Sequence, residues 1–98
     1  MNSGEALQTL RRFEPDLQIR GVRHAAIFGS VAREANRHDS DLDIMIEIDP
    51  AARLTVFEYV GVKDYIAGLF DGRVDVVNRD ALKPYVRPAA VADAIYAF

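Results

Sequence analysis

The chain has 98 residues, half of them hydrophobic, with a formal net charge of −3 and a pI of about 5.2. That length is one small domain, residues 1–98, able to bury a compact core without cross-links. The absence of cysteine excludes a disulfide scaffold and a thiolate metal site. The acidic balance disfavours a free-standing nucleic-acid binder, which carries a basic excess. It suits a protein whose acids hold cations, or one that docks on a basic partner. The opening MNSGEALQTLRRF has no basic region followed by an apolar run, so no signal peptide is expected. No apolar run approaches the ~20 residues that cross a bilayer. A cytoplasmic protein that stays off the membrane is the expectation.

Asn2 can cap a first helix, with Glu5 three residues on as its capping-box partner. Leu7, Leu10 and Phe13 or Leu17 follow at near-helical spacing, and Pro15 limits that helix. Ala25–Phe28 reads as a short buried strand ending in a glycine turn. A short helix then starts at Ser30, and 36–40 is loop. In the next strand Leu42, Ile44, Ile46 and Ile48 alternate with Asp41, Asp43, Met45, Glu47 and Asp49, which gives one core face and one polar face. Pro50 ends it. Thr55 and Glu58 open a helix that runs to about Phe70, with Val56, Tyr59 or Val60, Ile66, Leu69 and Phe70 as its apolar stripe and Gly72 as its C-terminal cap. RVDVVN is a third strand carrying Asp75 between two valines. A final short helix has Pro88 in its first turn and Val91, Ala94 and Ile95 facing inward. The order is α-β-α-β-α-β-α: an α/β (α+β) domain with helices on one face of a small three-stranded sheet. Strand directions are left open.

The chemistry lies in two places. Asp41 and Asp43 sit on one face of one strand, about 7 Å apart at Cβ. Carboxylates so placed repel unless a cation lies between them. A hard divalent cation such as Mg²⁺ takes oxygen ligands of this kind, together with substrate phosphates. If the third strand neighbours the second, Asp75 joins them. Three acids and two cations make the two-metal arrangement of phosphoryl and nucleotidyl transfer, in which a carboxylate can accept the proton of the attacking hydroxyl. The second place is Gly29–Ser30. A glycine at a strand end lets a ligand approach the backbone, and a helix starting at Ser30 favours an anion. Arg33, one turn further, is placed to contact phosphate or pin the loop.

Each feature has a plain structural reading. Gly-Ser is common in turns, Asp-x-Asp is common on solvated strands, a lone Asp75 fits an edge strand or cap, and Arg33 fits a surface charge. His24 and His38 read as solvated rather than ligating, and Glu47 and Asp49 as polar positions too far along the strand. The joint order is much more specific: strand, Gly-Ser, short helix, loop, Asp-x-Asp on the polar face, then a lone acid in a later valine-rich strand.

FGSVAR followed by SDLDIMI, with ten residues between Gly-Ser and Asp-x-Asp, and RVDVV beyond, resembles the nucleotidyltransferase fold of the DNA polymerase β superfamily. The similarity is greatest to its smallest members, the minimal nucleotidyltransferase (MNT) proteins, and spans IRGVRHAAIFGS to the closing AIYAF. It implies Gly29 and Ser30 on the triphosphate of ATP, Asp41 and Asp43 as shared ligands of two Mg²⁺ ions, and Asp75 as third ligand and base. One departure is that Arg33 is followed by Glu34 where members often have glycine. Larger relatives carry a further helical domain that holds the acceptor. Proteins of this size resemble antitoxins that pair with a HEPN-domain RNase toxin and transfer AMP from ATP to a toxin tyrosine. Two other readings follow from the same residues: an antitoxin that acts by binding alone, and a nucleotidyltransferase for a small molecule or nucleic acid completed by a second subunit.

Overall fold

Asn2 starts the first helix as expected. Its side-chain oxygen accepts from the Glu5 amide at 2.8 Å, and its Nδ2 donates to the Glu5 carboxylate at 3.0 Å. Helix α1 then runs Ser3–Arg12. Pro15 does not stop it from within. It falls in the first turn of a separate helix, α2, Glu14–Ile19, where the missing N–H has no intrahelical partner to lose. Residues 2–32 and 41–98 are described in this computed structural model. Arg33, Glu34 and His38 lie outside the described residues.

The strands follow the hydrophobic pattern. Strand β1 is Val22–Phe28, three residues longer at its start than the apolar run suggests, and β2 is Leu42–Ile48. Strand β3 is Val74–Asn78. A two-residue strand, β4, Ile95–Tyr96, adds a fourth member where inward-facing helix was expected. The sheet order is β3-β2-β1-β4. Strand β1 pairs antiparallel with β2 and with β4, whereas β2 and β3 run parallel. Ala25, Ile27, Leu42, Ile44, Ile46 and Val76 project to one face. They form one buried cluster with Ala6, Leu10 and Leu17 from α1 and α2.

Helix α4, Val56–Ala67, closes that cluster with Val62 and Ile66, joined by Phe70 just beyond its end. Ile66, Leu69 and Phe70 of the expected stripe pack on the cluster, but its start differs. Val56 and Val60 face solvent and Phe57 is 89% exposed. Apolar residues surround this helix, so spacing alone does not select the buried side. Its C-cap is Gly68, while Gly72, at φ +85, turns the chain into β3. Thr55 and Glu58 form the expected reciprocal capping box, with both bonds at 3.1 Å. Thr55→Ala is therefore expected to cost about 1 kcal/mol, read as a lower urea midpoint at unchanged slope.

Between β3 at one edge and β4 at the other, the chain must recross the whole sheet. It does so through a 3-10 turn at Arg79–Ala81 and helix α5, Arg87–Asp93, which contacts β1 and the short helix α3, Gly29–Ala32. Because β4 is parallel to β3, this crossover has a preferred right hand. It moves opposite to the β2–α4–β3 crossover, so it falls on the other face. That accounts for Ala26, Met45 and Ala90, which are buried yet stand outside the main cluster.

Candidate active site

Register builds the site. Parallel pairing sets Asp43 directly beside Asp75, on strands about 4.8 Å apart. Antiparallel pairing sets Phe28 beside Asp43, so Gly29, the next residue, also reaches that carboxylate. Gly29 has φ +74, and a Cβ there would overlap the Asp43 Oδ2 oxygen. Strand β1 thus delivers a bare backbone against an acid, and α3 begins at that glycine with Ser30 second.

Asp41 precedes β2 by one residue. Leu42 N–H donates to Arg73 O at 3.1 Å, which continues the β2–β3 ladder and puts Asp41 opposite Arg73. Arg73 Nε lies 3.6 Å from Asp41 Oδ1, with the side chains 87% and 43% exposed. Among the described residues no three acids or histidines draw into one coordinating cluster. Asp43 and Asp75 are adjacent, while the Asp41 carboxylate is engaged by a guanidinium. Arg73 is the residue that sequence reasoning missed. Its one signal was position: two residues before Asp75, it shares that face and opposes Asp41 once β2 and β3 are known to be parallel.

The remaining polar positions belong elsewhere. Glu47 lies four residues from Asp43, about 13 Å along the strand. It accepts from the Tyr96 hydroxyl at 2.8 Å, so it is not an alternative third acid. His24 pairs with Glu47 and stacks edge-on against the Tyr96 ring. Asp49 caps the 3-10 turn at Pro50–Ala52. Burial first, and then the Glu47 carboxylate, raise the Tyr96 hydroxyl above its usual value near 10. The folded chain resists an ionisation that the unfolded chain undergoes, so this contribution is present below pH 10 and is lost as pH rises above it. Denaturation midpoints are expected to fall above pH 10, less steeply in Tyr96→Phe.

This geometry can be set beside known proteins. The model of the nucleotidyltransferase domain matches residues 7–97. The chain belongs to the nucleotidyltransferase domain family. It is 32% identical, over 94% of both chains, to MJ0126 of Methanocaldococcus jannaschii, assigned as a protein adenylyltransferase. It is 29% identical to the protein adenylyltransferase MntA of Thermococcus cleftensis, over 78% of this chain and 75% of that one. A solved structure assigned as a minimal nucleotidyltransferase aligns with a TM-score of 0.71 at 31% identity, covering 97% and 95% of the two chains. A chain from the complex of a tri-AMPylated Shewanella oneidensis HEPN toxin with its MNT antitoxin shares the fold, at TM-score 0.63 and 17% identity, with 94% and 71% covered. The α+β fold class holds for this nucleotidyltransferase, with four strands rather than three and with α5 on the face opposite α1, α2 and α4 rather than all helices on one face. No helix among its described residues is long and apolar enough to cross a membrane.

Proposed function

We propose that this nucleotidyltransferase is a cytoplasmic, Mg²⁺-dependent protein adenylyltransferase. It moves AMP from ATP to a tyrosine of a HEPN-domain RNase toxin and so acts as the antitoxin. The observation that carries the reading is the register pairing of Asp43 with Asp75 beside the bare backbone of Gly29. The donor set is all oxygen, at a strand mouth where the Arg73 cation already neutralises Asp41, and it fits a hard divalent cation. Asp41, Asp43 and Asp75 would hold the metal. Bound there, it would neutralise the triphosphate and activate the attacking hydroxyl.

The protein's own groups supply the rest. Gly29 and Ser30 receive the triphosphate, with Arg33 as a further phosphate contact. Asp75, exposed on β3, takes the hydroxyl proton. The exposed Arg73–Asp41 pair contributes at most ~1 kcal/mol, so it yields Asp41 readily. ATP labelled in the α-phosphate, Mg²⁺ and a candidate HEPN partner test the reading. Label is expected on a partner tyrosine, and none with chelator or with Asp43→Asn. Transfer that persists in Asp43→Asn would remove the metal assignment. The exposed Val56 and Phe57 favour a second reading, docking without catalysis; under it, Asp43→Asn would still neutralise the toxin.

A further inference from the structure

The chain has four tyrosines, and the fold treats them unequally. Tyr59 is half-buried, and its ring meets the Lys63 ammonium 5.7 Å from the centroid. Tyr65 donates to Asp16 at 3.4 Å, and Tyr96 donates to Glu47 at 2.8 Å. Tyr85 is 77% exposed, and among the described residues its hydroxyl has no hydrogen-bond partner. Its ring meets the Lys83 ammonium, 5.9 Å from the centroid.

The backbone presents this side chain on a fixed turn. Val86 N–H donates to Lys83 O at 2.9 Å, with Pro84 second and Tyr85 third in the turn. Proline suits the second position because its φ is already set. Arg87 N–H donates to the same carbonyl at 3.0 Å. Arg87 Nη2 reaches back to Leu82 O at 3.0 Å and Asp80 O at 3.3 Å, which pins the segment on its other side. Lys83 and Arg87 flank the tyrosine with positive charge in a chain of net charge −3. That local sign complements a site built of carboxylates and triphosphate.

We infer that Tyr85 is a self-modification site, accepting AMP from ATP in the chain's own reaction. The inference rests on the adenylyl-transfer reading above. Tyr85 Oη attacks the α-phosphorus of ATP and an O–P bond forms. The bond from the α-phosphorus to the bridging oxygen of the β-phosphate breaks, pyrophosphate leaves with that electron pair, and the hydroxyl proton passes to Asp75 of a second copy that holds the ATP, because the carbonyls that anchor the Tyr85 turn lie past Asn78, at the other end of β3 from the chain's own Asp75. Modification replaces a neutral hydroxyl by a nucleotide bearing a negative phosphodiester, on the turn that leads into α5.

The full chain is incubated with Mg²⁺ and α-labelled ATP, without a partner, and its peptides are read by mass spectrometry. ATP binding is titrated in parallel. The mass of one adenylyl group is expected on the Tyr85 peptide. Label in Tyr85→Phe, which keeps the ring and the turn, is expected to fall to the level of the Asp43→Asn control. Label that persists in Tyr85→Phe, or ATP bound with no label on the chain, overturns self-modification and leaves transfer to a partner standing. Failure to bind ATP at all overturns both.

Discussion

Replacing Asp75 by asparagine is expected to slow adenylyl transfer by ~10²–10⁴-fold, the usual contribution of a positioned base, while the protein still binds ATP and melts no lower than the unaltered chain. Asp75 is exposed on β3 and adds nothing to the core, and surface substitutions of this kind stay within about 0.5 kcal/mol. Its carboxylate stands in register with that of Asp43. Removing one of two like charges on paired strands relieves repulsion, so the expected change in melting temperature is zero or upward. ATP affinity is retained because Asp41, Asp43 and the Gly29–Ser30 turn remain. The amide cannot take the proton of the attacking hydroxyl. Single-turnover transfer to a protein tyrosine, with ATP binding measured separately, checks the split. A variant that transfers at the original rate would make Asp75 a structural residue. Glu47 would not inherit the task, because it is held by Tyr96 at the far end of the strand.

What was legible in the sequence was whatever a single strand or cap decides locally. The alternation of Leu42, Ile44 and Ile46 with Asp43 and Glu47 fixes which side of β2 is buried, and Thr55 with Glu58 fixes where α4 begins. What needed the structure was everything set between elements. The Asp43–Asp75 pairing and the Asp41–Arg73 ion pair exist because β2 and β3 are parallel neighbours, which no local spacing reveals. Strand β4 is two residues long and continues an apolar run that reads equally well as helix. Met45 was read as a polar-face position and is in fact buried, because the recrossing segment covers the middle of that face. Within α4, Ile66 reaches the core as expected and Val62 joins it, whereas Val56 and Val60 do not. With apolar residues all round a helix, tertiary contact decides the buried side.

Gly29→Ala is expected to damage stability and metal binding together, which separates it from any substitution of the acids. Two costs combine at this position. The backbone has φ +74, where an L-residue costs roughly 1–2 kcal/mol. The new Cβ would also overlap Asp43 Oδ2, and that side chain lies on a strand paired on both sides. Relief requires the carboxylate to swing away or the β1–α3 junction to open, and either movement takes Asp43 out of the position that the register gives it. A loss of about 2 kcal/mol corresponds to a fall in melting temperature on the order of 10 °C for a domain of this size. Mn²⁺ affinity, titrated at a temperature where the variant is folded, should fall with it. The double variant Gly29→Ala with Asp43→Ala isolates the contact. Shortening Asp43 removes the overlap but leaves the φ penalty, so the double variant should regain part of the lost stability and none of the metal binding. Residues in contact couple by ~0.5–3 kcal/mol. Strict additivity in that cycle would mean that the glycine is required by its φ alone, and that the close approach of Gly29 to Asp43 plays no part in shaping the site.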